Sequence, residues 1–202
     1  GLKDFTYSSF ITPAKRFIVD PENGFLSNDS HGVLFNKDKT ELIRFPVASD
    51  IKKYEIPNTV KYIFGENGYD FYGAFSNYGD TYNLKSVVIP ESVTEIGNSA
   101  FYRCDELENI EILGNITSIG NRAFYCCTKL ASISIPDSVT SIGKEAFSIC
   151  SSLTDINIPD SVTTIGVSAF SGCRNLESVI FSTYSELNII DNAAFYQCTN
   201  LK

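Results

Sequence analysis

Five cysteines of this chain stand at a nearly constant interval. Cys104, Cys127, Cys150, Cys173 and Cys198 are separated by 23, 23, 23 and 25 residues. Phe101, Phe124, Phe147, Phe170 and Phe195 step identically, and so do Leu107, Leu130, Leu153, Leu176 and Leu201. The unit that carries them is clearest from Ile135 to Asn157, IPDSVTSIGKEAFSICSSLTDIN. Self-similarity at a period of this length marks a solenoid, in which each unit buries its apolar face only against its neighbours. A length of 202 residues would otherwise suit one or two globular domains. The repeat replaces that expectation with one elongated body.

Each unit reads as one coil. The pattern L-x-x-I-x-I begins at Ile51, Leu84, Leu107, Leu130, Leu153 and Leu176, and Leu201 opens a seventh copy. Its last two apolar positions alternate with period two, as a strand with one buried face requires. Pro57, Pro90, Pro136 and Pro159 follow the strand and turn the chain. Val93/Ile96, Ile116/Ile119, Val139/Ile142, Val162/Ile165 and Leu187/Ile190 supply a second inward pair. Gly97, Gly120, Gly143 and Gly166 then read as tight-turn residues, and Ala-Phe-x-x-Cys suits one short helical turn. The expected fold is an α/β repeat solenoid of 23-residue coils, with a parallel β-sheet on one side and short helical turns on the other. Residues 1–50 are off-period and read as a β-hairpin or atypical repeat, continuous with the repeats of 51–202. There Phe17–Val19 and Gly32–Phe35 look like strands, and the polar run Asn36–Glu41 reads as a hairpin turn before Leu42.

The formal charge of −8 argues against nucleic acid or an anionic membrane as the main partner. No apolar run reaches the roughly 20 residues that span a bilayer. The chain starts with Gly1 and holds no Met, so it reads as a mature or recombinant fragment whose targeting segment was removed.

The residue types that do chemistry do not converge. Neighbouring Cys of the column would lie about 5 Å apart in stacked coils, but a ladder of one orientation does not favour the disulfide dihedral. Buried, reduced thiols acting as small hydrophobes are expected, with Cys126 the less buried exception. A one-dimensional column cannot surround zinc. His31 is the only histidine and falls in a turn beside Gly32, away from every Cys. Neither an enzyme nor a cofactor is expected.

Binding has two candidate surfaces. Between Ile56 and Ile89 the period stretches to 33, an excess of ten residues. The stretch Phe64 to Asn83, FGENGYDFYGAFSNYGDTYN, is rich in the Tyr, Gly and Asn that recognition loops favour. Tyr69, Tyr72 and Tyr82 are its candidate contacts, while Ala74, Phe75 and Tyr78 suit the regular columns. The second surface is the outward face of the strands, with Asn109, Glu111, Asp155 and Asn157 as candidates. At the far end, Leu201 opens a strand that is not completed, an edge expected to fray or self-associate.

The columns L-x-x-I-x-I-P-x-x-V-T-x-I-G-x-x-A-F-x-x-C resemble the leucine-rich repeat of the BspA-like surface proteins, also called the Treponema pallidum type. The resemblance covers Ile51 to Lys202, with Leu113 and Ser182 in place of Pro, Asp191 in place of Gly, and Tyr78 where Cys would fall. It implies a right-handed superhelix and a secreted or surface-anchored bacterial protein without enzymatic activity. Such a protein binds host or other cell-surface proteins, with a carbohydrate-binding module or an inert spacer as the competing expectations.

Overall fold

The computed structural model describes residues 14–65, 73–77 and 83–202. Its strands are numbered in chain order. β1 (Leu26–Asn28), β2 (Leu34–Asn36) and β3 (Glu41–Arg44) form an antiparallel meander. The turn between β2 and β3 is held by Asn36, whose Oδ1 accepts the Thr40 and Glu41 N–H groups at 2.9 and 3.0 Å. The strand expected at Phe17–Val19 does not form. Phe17 N–H donates to the Gly32 carbonyl and Val19 N–H to Asn28 Oδ1, bonds that leave no ladder.

From there the chain winds as stacked coils, each with three sides. The first side carries β4 (Lys53–Glu55), β6 (Ser86–Ile89) and β8 (Asn109–Ile112) in one parallel sheet. It resumes with β11 (Asp155–Ile158) and β13 (Ser178–Phe181) in another. The second side carries β5 (Tyr62–Ile63), β7 (Glu95–Ile96), β9 (Ser118–Ile119), β10 (Ser141–Ile142), β12 (Thr164–Ile165) and β14 (Ile189–Ile190). β3 pairs parallel with β5, so the meander and these six strands make one nine-stranded sheet.

The third side was expected to hold a helical turn, and among the described residues no helix forms there. From Ser99 onward each turn instead contains two residues of positive φ, such as Arg122 and Cys126 (55° and 61°) or Glu145 and Ile149 (55° and 63°). Left-handed residues at that spacing break a right-handed helix. They also rotate alternate N–H groups outward along the solenoid axis. Arg122, Phe124 and Cys126 donate to the Lys144, Ala146 and Ser148 carbonyls of the next coil, each at 2.8 Å. The bonds between coils compensate for the backbone strain. The repeat glycines are not the left-handed residues. A Cβ on Gly120 would lie 2.7 Å from the Gly97 carbonyl carbon, and one on Gly143 2.7 Å from Asn121 N. Glycine serves there to let one backbone approach the next.

The columns fill the interior. The rings of Phe75, Phe101, Phe124, Phe147, Phe170 and Phe195 stack in a continuous file, centroids 4.6 to 5.3 Å apart and planes within 10°. Beside them each column thiol donates to the Phe carbonyl one coil back: Cys127 to Phe101 at 3.3 Å, Cys150 to Phe124 at 3.1 Å, Cys173 to Phe147 at 3.1 Å. Burial pushes the thiols of Cys127, Cys150 and Cys198 up, and that of Cys173 to about 12. At the N-terminal end Tyr54 closes the core, donating its hydroxyl to Asp29 Oδ2 at 2.7 Å. Asp29 Oδ1 meanwhile accepts the His31 and Val33 N–H groups, so one carboxylate ties the turn holding His31 to the first coil. At the other end Ile190 and Leu201 stand exposed in columns that are buried elsewhere, and Ile189 is exposed beside Thr164.

Candidate interaction surface

The first side presents every second strand residue to solvent. Parallel register sets these residues in rows: Lys53, Ser86 and Asn109 in one, Glu55, Val88 and Glu111 in the next. Beyond the gap, Asp155 faces Ser178 and Asn157 faces Ile180. Asn109, Glu111, Asp155 and Asn157 are all exposed, as period two predicts. They form two pairs, on β8 and β11, with Ser132 and Ser134 of the intervening coil between them. Tyr69, Tyr72 and Tyr82 lie outside the described residues, as does Tyr78.

The insertion itself divides in two. Ala74 and Phe75 are fully buried in the Ala-Phe columns, with Phe75 stacked on Phe101. Seven of the ten excess residues therefore precede Phe75 and three follow it.

Charge on the first side is mostly paired at its leading edge and unpaired at its trailing corner. Lys53 pairs with Glu55 at 2.9 Å, Lys85 with Glu108 at 2.7 Å, and Lys202 with Glu177 at 3.2 Å. The Lys85 ammonium holds the Glu108 carboxyl below its usual range. The Ser178 hydroxyl, 2.5 Å from Asp155 Oδ1, does the same for Asp155, with Thr154 adding a second bond. These groups are solvated, so they shape the surface more than they stabilise it. At the corner after the strands, Asp137, Asp160 and Glu186 make no ion pair among the described residues. They line a cleft of about 520 Å³ with Asn157, Pro159 and Ser182. The two-residue excess after Phe181 builds one wall of it, and Tyr184 stands 82% exposed on that bulge. The cleft is not legible in the sequence, because Asp137 and Glu186 are 49 residues apart.

Among the described residues no group of His, Cys, Asp and Glu is arranged to hold a metal ion. Likewise no helix among them is long and apolar enough to cross a membrane.

Stacked coils, parallel ladders and Leu, Phe and Cys columns define the class: a β-solenoid of leucine-rich-repeat type. The leucine-rich repeat family of BspA type matches residues 71–202 in six copies. The chain belongs to that family. Among solved structures, it is similar to a leucine-rich cell surface protein from Faecalibacterium prausnitzii, at 30% identity and a TM-score of 0.65 over 82% of this chain. It is also similar to the pneumococcal vaccine antigen PcpA, at 25% identity and a TM-score of 0.70 over 85% of this chain. The chain spans 45% and 40% of the length of those two proteins. The leucine-rich repeat protein of T. pallidum shares the fold, with 23% identity, a TM-score of 0.60, 92% of this chain and 91% of that one covered. No protein of curated description matches the chain.

Proposed function

We propose that this is a non-enzymatic leucine-rich-repeat protein of the bacterial cell surface or secreted space, which binds a protein of a host or of another cell. One observation carries the reading: an extended, exposed side of the solenoid lined mainly by small polar and acidic side chains. Rigid scaffolds of this kind present extended surfaces for recognition. Family membership and the cell-surface relative support the location. A right-handed sense of winding and continuity of residues 1–50 with the repeats of 51–202 belong to the same proposal. So does self-association, for which the exposed Ile189, Ile190 and Leu201 suit either a further coil or a second copy.

The test sets two arrays side by side, one of purified extracellular host proteins and one of glycans. Binding on the protein array that falls when Asn109, Glu111, Asp155 and Asn157 are all replaced by Ala supports the strand face as the site. Binding confined to the glycan array, and lost with Tyr69→Ala and Tyr72→Ala, would make the protein a carbohydrate binder instead. A folded chain that binds on neither array would be a spacer.

A further inference from the structure

One rung of the first side is unlike the others. Ser132–Ile135 keeps the alternating pattern of its neighbours, yet it joins no ladder with β8 before it or β11 after it. Among the described residues, the one backbone bond between 131–135 and an adjacent coil is Thr154 N–H to the Ala131 carbonyl, at 3.3 Å. The inward residues register the same slackness. Ile133 and Ile135 are 8% and 6% exposed, against 0% for Val87 and Ile89 and 1% for Ile156 and Ile158.

The other two sides of the same coil stay closed. Ser141 and Ile142 of β10 pair with β9 on one flank and β12 on the other. On the turn side Phe124 N–H donates to Ala146 and Phe147 N–H to Ala169, at 2.8 and 2.7 Å. An opening confined to one side of a three-sided stack is a hinge about the other two.

Its cause lies one coil back, where Leu113-Gly114 replaces the Pro-Glu or Pro-Asp of other coils. Leu113 has the N–H that proline lacks and donates it to the Ile89 carbonyl at 2.9 Å. Gly114 sits so close behind that a Cβ there would lie 2.4 Å from the Val93 carbonyl oxygen and 2.8 Å from that of Pro90. Both features tie the Leu107–Lys129 coil to the coil before it, on the flank opposite Ser132–Ile135.

We propose that Ser132–Ile135 is a slack rung, held open by Leu113 and Gly114, through which the first side opens and closes. The movement changes the spacing between the pair Asn109/Glu111 and the pair Asp155/Asn157, which lie on either side of it. The proposal stands whether or not those four residues bind a partner.

Amide exchange and relaxation dispersion by NMR on the whole chain test it. The amides of Ser132, Ile133, Ser134 and Ile135 should exchange at least about tenfold faster than those of Ile142 and Phe147 in the same coil. They should also show microsecond-to-millisecond dispersion that Ser141 and Ile142 lack. The double variant Leu113→Pro, Gly114→Asp gives the coil the Pro-Asp sequence of the coil after it, and removes the Leu113 N–H bond and the close approach that Gly114 allows. It should slow exchange at 132–135 by about tenfold, and Leu113→Pro alone should slow it in part. Wild-type protection at 132–135 equal to that of Ile142, dispersion absent from the rung, or exchange unchanged in both variants would each overturn the proposal.

Discussion

The turn side and the strand side of this solenoid are built from the same repeats but fastened differently. On the turn side every junction from Phe75 to Phe195 carries a stacked ring pair, and thiol-to-carbonyl bonds and alternate N–H bonds join the same coils. These fasteners are redundant, so the loss of one leaves the rest. On the strand side the ladder is the main link, and it lapses at Ser132–Ile135. The turn side fixes the pitch; the strand side is free to change sequence and spacing.

The sharpest way to break that contrast is to cut into the ring file. Phe147 is fully buried and stacks on both Phe124 and Phe170 at 5.2 Å. Phe147→Ala should destabilise the chain by about 3 to 5 kcal/mol, as the removal of a buried aromatic ring does. The exposed Asn109→Ala with Asp155→Ala should change stability by no more than about 0.5 kcal/mol. Urea unfolding of both, followed by circular dichroism, checks the pair of expectations. Equal losses would mean that the two sides are fastened alike.

The next effect concerns the thiols. Cys150 is buried, reduced and bonded to the Phe124 carbonyl. Cys150→Ala should cost about 1 to 3 kcal/mol, and Cys150→Ser should recover little of that, since burying a hydroxyl has its own cost. In the native protein Cys126 should react first with a thiol reagent, and the buried column thiols Cys104, Cys127, Cys150 and Cys173 only on unfolding. The pH dependence has a defined sign. Burial raises the folded-state pKa of Cys173 to about 12 from an ordinary value of 9.0. The folded state thus holds its proton where the unfolded state loses it. The stability of the neutral thiol is fully present below pH 9 and falls as pH rises from there toward 12. A thermal midpoint that is flat or rising over that window would contradict the burial of the column.

How much of this was legible follows from what each position needs. The Phe, Leu and Cys columns announce themselves because a buried column tolerates few residue types, and the strand pairs because burial alternates. The glycines were recognised but misread, since a tight turn and a close backbone approach both call for Gly, and only the second operates at Gly120 and Gly143. The left-handed residues gave no signal at all. Arg122, Cys126, Glu145 and Ile149 have no preference for that conformation, which is imposed by the bonds their amides make to the next coil. Hence Ala-Phe-x-x-Cys looked helical. The slack rung was hidden for a similar reason: Ser132–Ile135 obeys the pattern, and its cause sits in Leu113-Gly114 of another coil. Of the candidate site, the exposure of Asn109, Glu111, Asp155 and Asn157 followed from period two. The acidic cleft did not, because it joins side chains from three coils.

The smallest expected effect bears on which side of the contrast does the binding. Seven of the ten excess residues come before Phe75 and three after it, yet Phe75 keeps its place in the file, stacked on Phe101 at 4.6 Å. Long insertions on a rigid scaffold are where recognition tends to reside. Neither Tyr69 nor Tyr72 is needed to fill a column, since Ala74 and Phe75 already do so. Tyr69→Ala with Tyr72→Ala should therefore weaken partner binding by at least about tenfold, or about 1.4 kcal/mol. The urea midpoint should stay within error of the parent chain, because neither residue belongs to the Phe file. Titration by surface plasmon resonance against a protein found on the array reads the first quantity, and circular dichroism the second. Should affinity survive the double change yet fall with replacement of Asn109, Glu111, Asp155 and Asn157, the strand face alone is the contact surface. The insertion would then be decoration on the coil that carries it.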